Sequence, residues 1–271
     1  MFANFATYCG HRYVMMSLFY RVINRIMYKC EEVLPYGNQG EKKRQQVENM
    51  FDSISGAYDK MNRMMTLSRD IEWRRKAIDS LKDFDPKKIL DIATGTGDFA
   101  IESCNRLAPD SVMGVDISEK MMEVGKEKVV RLGLQDKISF RYGDSLALEF
   151  ADASFDAVTM AFGVRNFQNL EVGLKEMSRV LRPGGRLVIL EMSEPYKIFK
   201  PFYWLYAKVV IPFIGRMMSK NDSAYSYLPA SISVFPHGKP MFELLEKVGM
   251  TDVKRRRFTF GVCSLYLATK K

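Results

Sequence analysis

The chain has 271 residues, 47% hydrophobic and 27% charged, which excludes a disordered polymer and supplies enough apolar side chains for one large domain. Its formal net charge of +9 sits in the last third, where 13 Lys and Arg stand against 4 Asp and Glu from Pro195 onward. The four cysteines (Cys9, Cys30, Cys104, Cys263) are far apart and have only His11 and His237 for company, so no metal site is expected; no run of 18 apolar residues predicts a membrane-spanning helix.

Residues 1 to about 40 read as a flexible leader closed by the breakers Pro35, Gly37, Asn38 and Gly40. Within it, Arg21 and Arg25 interrupt the apolar stretch 13–26, and no clear cleavage site follows, so a signal peptide is not expected. Residues 41–271 are expected to form a single domain. A polar helix starts near Glu41, with Val47, Met50, Phe51 and Ile54 on one apolar face, and Ser55 and Gly56 end or bend it. A second helix is predicted over 68–81, capped by Ser68 and with Asp70 in its first turn. Together these are the N-terminal helices of 41–84.

The pattern then changes. A short apolar strand over 89–93 runs into a glycine-rich turn at 94–97 and a helix to about 107. A strand over 111–115 ends at Asp116, and a helix over 119–132 stops at Gly133, a natural left-handed cap. Further strands are predicted over 138–142, 155–161 and 187–191, with a helix over 170–181 before the last. Such alternation argues for a parallel sheet covered on both faces. After 194 it pauses for an aromatic, Met- and Pro-rich lid or substrate insertion over 195–236. A helix over 241–248 and strands over 252–258 and 262–269, joined at 259–261, then read as a closing antiparallel hairpin. The fold class is α/β: a Rossmann-like, mostly parallel sheet ending in a hairpin, with N-terminal helices and a helical lid.

The candidate site begins at the turn. Gly95 and Gly97 let the backbone bend sharply and approach a ligand, and the helix after Gly97 presents free N–H groups. Asp116, 19 residues beyond Gly97, is placed to accept both hydroxyls of a ribose; Asp144, after the third strand, is placed to hold an adenine amino group. Asp91 lies inside an apolar strand and needs a partner, from loop N–H groups or a ligand cation. Each acid also has a plainer reading, Asp116 as a helix cap (where Ser118 fits better) and Asp144 as a turn residue. A nicotinamide dinucleotide and S-adenosylmethionine both suit such a pocket. Asp91 and Asp98 would repel a pyrophosphate but not a sulfonium and an ammonium, which favours the second. The turn also lacks the Ala- or Gly-rich run usual before a dinucleotide loop, and a hairpin finishes the sheet.

The segments D-I-A-T-G-T-G-D, G-V-D-I-S and R-V-L-R-P-G-G-R-L resemble motifs of the class I methyltransferases. More specific are M-F-D-S-I-S-G-A-Y-D-K-M-N at 50–62, W-R-R at 73–75, A-F-G-V-R-N-F at 161–167 and D-S-A-Y-S-Y-L at 222–228. With these the chain, over roughly 42–269, resembles the ubiquinone and menaquinone biosynthesis C-methyltransferases. The resemblance implies a class I methyltransferase fold and S-adenosylmethionine as cofactor, lined by Asp91, Gly95, Thr96 and Gly97, with Asp116 and Ile117 at the ribose and Asp144 and Ser145 at the adenine. It implies a prenylated quinol as acceptor. Ala161 stands where relatives acting on ubiquinol precursors often carry Ser, which leans toward demethylmenaquinol and leaves the ubiquinol precursor open.

Arg165 is the leading catalytic candidate: a guanidinium stays charged, so it would steady a developing phenolate and orient a water that takes the proton. Asn166 would donate to the quinol oxygen and accept from that water. Tyr58 would hydrogen-bond the quinol with Asp59 polarising the contact, and Met61, Met64 and Met65 would lie against ring or tail. His237, in a loop without a certain partner, is a weaker base candidate. The segment 195–218 interleaves aromatics, among them Phe199, Phe202, Tyr203, Trp204, Tyr206 and Phe213, with Lys197, Lys200, Lys208 and Arg216, so reversible contact with an anionic membrane surface is expected, on a cytoplasmic, peripherally associated protein. The same interleaving and the run Lys254, Arg255, Arg256, Arg257 keep an RNA or DNA methyltransferase as the enzymatic alternative, although no nucleic acid is expected because A-F-G-V-R-N-F replaces the motifs such enzymes carry. A binding protein without catalysis is the third reading. A homodimer stays open. The resemblance does not reach residues 1–26, so translation is expected to begin near Met27, or else the leader to be flexible.

Overall fold

The computed structural model describes residues 28–37, 40–218 and 222–271. Seven strands form one sheet: β1 (Lys88–Ile92), β2 (Ser111–Asp116), β3 (Ile138–Tyr142), β4 (Phe155–Ala161), β5 (Leu181–Met192), β6 (Met250–Phe258) and β7 (Cys263–Lys270). They lie in the order β3-β2-β1-β4-β5-β7-β6. The first five pair in parallel, while β7 is antiparallel to both β5 and β6. The strand order reverses between β1 and β4, and the crevice at their carboxyl ends is where such sheets take ligands.

Ten helices are described: α1 (Lys29–Glu32), α2 (Lys43–Ile54), α3 (Tyr58–Thr66), α4 (Arg69–Asp79), α5 (Asp98–Leu107), α6 (Glu119–Arg131), α7 (Leu170–Val180), α8 (Lys200–Met218), α9 (Asp222–Val234) and α10 (Lys239–Lys247). Alternation along the strands sorts the core onto two faces. Leu90, Ile92, Val158 and Met160 pack with Leu174 of α7 and Leu244 of α10. Ile89, Ala157 and Val188 pack with Ile78 of α4 and Phe99 of α5. Asp91 points to this second face, toward the N-terminal helices.

Most predicted elements are present, and the differences have physical causes. The stretch 58–66, given no helix of its own in the sequence reading, forms α3, held by ion pairs to distant residues described below. Ser68 does not cap α4: it sits in the left-handed region at φ 59° and its side chain makes no cap bond. Ser118 does cap α6, its hydroxyl accepting the Met121 N–H at 3.2 Å. The stretch 182–186 between the predicted helix and the predicted strand is absorbed into β5, with a register shift against β4.

Part of the expected leader is built into the fold. Cys30 is buried in the first core face, and the Lys43 ammonium donates to its carbonyl at 2.5 Å. The buried Glu31 carboxylate accepts the Leu170 N–H at 2.8 Å, at the start of α7. The expectations for residues 1–27 lie outside the described residues. Removing the Glu31 carboxylate leaves the Leu170 N–H buried without an acceptor, so Glu31→Ala should cost about 1–3 kcal/mol. Urea unfolding should show a lower midpoint with an unchanged slope; an unaltered midpoint would mean that residues 28–37 are not part of the cooperative unit.

Candidate active site

Three cavities meet at the carboxyl ends of β1, β2 and β4. The first, of about 730 Å³, runs from Gly95, Asp116, Ile117 and Met121 to Asp144 and Ser145, with Arg44 and Val47 of α2 over it. The second, of about 1250 Å³, is walled by Met50, Met61, Met65, Trp73, Tyr203, Tyr206 and Tyr227, with Arg165 among them. The third, of about 300 Å³, lies beneath the glycine turn between Asp91, Arg74, Thr96 and Phe99. Phe51 and Phe162 line both the first and second; Tyr58 lines all three.

The turn is shaped by close approach. Gly95 and Gly97 have φ of 55° and 76°, and so does Ala93 at 51°, a strained value for a residue with a Cβ. Its neighbour across the crevice must be small: a Cβ on Gly163 would lie 2.6 Å from that of Ala93. Phe162, also at positive φ (61°), turns the end of β4 over the crevice.

Asp116 closes the turn against β2, one carboxylate oxygen accepting the Gly95 N–H at 2.7 Å and the other the Ser118 N–H at 2.8 Å. Each oxygen keeps a second lone pair for a ribose hydroxyl. Burial pushes this carboxyl up to about 6, against the lowering by its N–H donors. Asp91 is fully buried and finds its partners in the hydroxyls of Thr94 (2.6 Å) and Thr159 (2.7 Å), not in loop N–H groups; burial lifts it also to about 6. Asp98 does not add free negative charge. Burial raises its carboxyl, but Arg74, Lys128 and Arg63 outweigh that and hold it at about 2. Of the two acids weighed against a pyrophosphate, only Asp91 retains its force.

Asp144 lies in the first cavity, but its carboxylate is engaged by Arg44 Nε at 2.8 Å and by the Leu146 N–H at 2.9 Å. Arg44 also reaches the Tyr142 hydroxyl at 2.8 Å, so a residue of α2 covers this end of the pocket, which sequence reasoning missed. Asp59 does not polarise Tyr58. It accepts the Thr96 hydroxyl at 2.6 Å and the Lys128 ammonium at 2.8 Å, tying α3 to the glycine turn and α6.

Arg165 is buried, donating through Nη1 to the Phe162 carbonyl and the Glu191 carboxylate, both at 2.6 Å. Its Nε makes no hydrogen bond among the described residues. Asn166 lines the first cavity rather than the second, and its side-chain oxygen is taken by the Tyr227 hydroxyl at 3.0 Å. The Tyr58 phenol is raised by burial, against the lowering by its hydrogen bond to Asn62, and stays a proton donor. Met61 and Met65 line the second cavity; Met64 is not among its lining. His237 lines none of the three, packs against Phe235, and is lowered to about 4 by burial. The basic run on the edge strand β6 is not one stripe: Arg255 donates to Ser264 and Arg257 to the Glu194 carbonyl, while Lys254 and Arg256 face the other way.

The chain matches the model of the ubiE/COQ5 methyltransferase family over residues 39–270. It is 53% identical over 244 residues to a demethylmenaquinone methyltransferase of Bacteroides fragilis, covering 90% of this chain and 99% of that one. A demethylmenaquinone methyltransferase of Porphyromonas gingivalis is 44% identical over 246 residues, covering 90% and 100%. In structure the chain is similar to an S-adenosylmethionine-dependent methyltransferase of Thermotoga maritima, with a TM-score of 0.58, 18% identity and coverage of 82% and 99%.

The pocket fits that cofactor, with glycines at the bend and a buried acid at the end of β2. Because Asp116 must be ionised to accept two hydroxyls, affinity should fall as pH drops from 7 to 5 through the value near 6. Calorimetry with S-adenosylhomocysteine should show weaker binding and a shallower pH dependence for Asp116→Asn, and a wild-type Kd flat across that range would contradict the assignment. The chain belongs to the ubiE/COQ5 methyltransferase family and is an S-adenosylmethionine-dependent enzyme.

Proposed function

We propose that this enzyme methylates a ring carbon of demethylmenaquinol, giving menaquinol, in quinone biosynthesis. The observation that carries the reading is the second cavity: large, walled by aromatics and methionines, joined to the cofactor pocket at Tyr58, and containing one buried guanidinium. An apolar ring with a long tail suits such walls, and the two phenolic oxygens of a quinol need one cation and a few donors.

When bound, the cofactor supplies an electrophilic methyl already attached to its leaving group. The protein then has to align the acceptor, exclude water and manage one phenolic proton. Arg165, kept in place by Glu191 and the Phe162 carbonyl, stabilises the phenolate that makes the neighbouring carbon nucleophilic, and orients the water that takes the proton. Tyr58, at the junction, donates to the quinol oxygen. Asn166 acts through Tyr227, since the Tyr227 hydroxyl occupies its carbonyl oxygen and itself lines the acceptor cavity. Ala161 lines the first and third cavities, and the preference for demethylmenaquinol is supported chiefly by the relatives. The broken basic run of β6 disfavours the nucleic-acid alternative.

The same wall supports membrane contact. Tyr203 and Tyr206 of α8 face the acceptor cavity, while Phe202, Leu205 and Val209 on its outer side are 73%, 65% and 58% exposed, with Lys208 beside them. No helix among the described residues is long and apolar enough to cross a membrane. Peripheral docking of this face on an anionic surface would admit the tail directly from the bilayer. Wild type should co-sediment with phosphatidylglycerol vesicles, and Phe202→Ser with Leu205→Ser should not. Equal recovery of both in the supernatant would remove the membrane from the account.

Methyl transfer to reduced demethylmenaquinone and to a reduced ubiquinone precursor should favour the first. In Arg165→Ala, kcat should drop by about 10²-fold while affinity for S-adenosylhomocysteine changes little. Unchanged kcat would take Arg165 out of the mechanism.

A further inference from the structure

The smallest cavity has a charge arrangement that the acceptor chemistry does not use. Its walls carry a carboxylate, Asp91, and a guanidinium, Arg74. Arg74 is 5% exposed, lies with its guanidinium carbon 5.0 Å from the centre of the Phe162 ring, and spends Nη1 on Asp70 at 2.5 Å. Its Nε is buried and makes no hydrogen bond among the described residues. A buried N–H without an acceptor is costly and rare, and an arginine can hold a second carboxylate along another edge of its fork. The second carboxylate on the wall, Asp98, is bound directly by Arg63 at 2.5 Å and by Lys128, while Arg74 acts on it through space only. Asp91 has two hydroxyl donors and no cation in hydrogen-bond contact.

With Asp98 bound by Arg63 and Lys128, the Arg74 guanidinium and the Asp91 carboxylate are the opposite charges left to face this space, an arrangement complementary to a small zwitterion. The cavity shares Tyr58, Ala93, Gly95 and Ala161 with the cofactor pocket, so a charged tail in it is within reach of a ligand beside the glycine turn. We propose that Arg74 is the receptor for the cofactor's α-carboxylate, and that it grips the amino-acid tail together with Asp91, which faces the ammonium. Asp70, shared by Arg74 and Arg63, is the positioning residue that fixes the guanidinium. The inference rests on the cofactor assignment and is independent of which quinol is methylated.

The test compares three ligands by calorimetry: S-adenosylhomocysteine, its decarboxylated amine S-adenosyl-3-thiopropylamine, and 5′-methylthioadenosine, which has no tail. Arg74→Gln should lose about 10- to 100-fold in affinity for S-adenosylhomocysteine and no more than about twofold for the other two. An equal factor for all three, or no loss, overturns the proposal. Arg74→Lys keeps a cation beside Asp70 and should show a smaller loss with the same ligand pattern. Should neither variant fold, the wild-type protein decides by NMR. The Arg74 Nε–H resonance should shift on adding S-adenosylhomocysteine and stay in place with 5′-methylthioadenosine; an identical response to both overturns the assignment.

Discussion

The active site depends on a chain of charged contacts that holds the N-terminal helices over the glycine turn. Thr96 donates to Asp59, Lys128 bridges Asp59 and Asp98, Arg63 bridges Asp98 and Asp70, and Arg74 closes the series on Asp70. Several of these groups are buried or nearly so, and a buried charge is tolerated only when paired. Each charge in the series meets one of opposite sign, which fixes α3 and α4 in one place. That placement puts Tyr58 at the meeting of the three cavities and Arg74 in the smallest of them.

With that frame set, the two halves of the pocket divide the work. The cofactor side is mostly backbone: glycines, a strained Ala93, and acids that hold turns together while keeping lone pairs for a ligand. The second cavity is mostly side chain: aromatics, methionines, Asp70 and the buried Arg165 on its Glu191 support. Methyl transfer from a sulfonium asks little of acid–base groups, and the structure supplies few. What it supplies is alignment and a dry, mostly apolar wall, with Arg165 and Asp70 as buried charges on it. α8 belongs to both sides of this wall, with tyrosines inward and bare apolar side chains outward.

The strands and most helices were legible because their periods are local: Ile89 to Ala93, Phe155 to Ala161 and the Leu170 face each declare themselves within a few residues. The bend at Gly95 to Gly97 and the acid at Asp116 were legible for the same reason, as a fixed spacing with one physical job. The contacts that escaped are long-range pairs. Arg44 with Asp144 spans 100 residues and Asp59 with Lys128 spans 69, and neither partner carries a local sign of the other. Asp59 was misread for that reason, Asn166 because Tyr227 claims its oxygen from 61 residues away, and Ser68 because its backbone conformation follows from the α3–α4 corner. Trp73 and Arg74 were visible only as part of a family motif; their place beside Phe162 required the fold.

The central claim is that methyl donor and methyl acceptor meet at Tyr58. The most direct measurement is a crystal structure of the protein with S-adenosylhomocysteine and a short-tailed reduced naphthoquinone bound together. The account predicts the thioether sulfur and the quinol ring in contact with opposite sides of the junction formed by Tyr58 and Phe162, with a quinol oxygen at the Arg165 guanidinium. A ring bound away from that junction, or a sulfur with Tyr58 remote from it, would contradict the account.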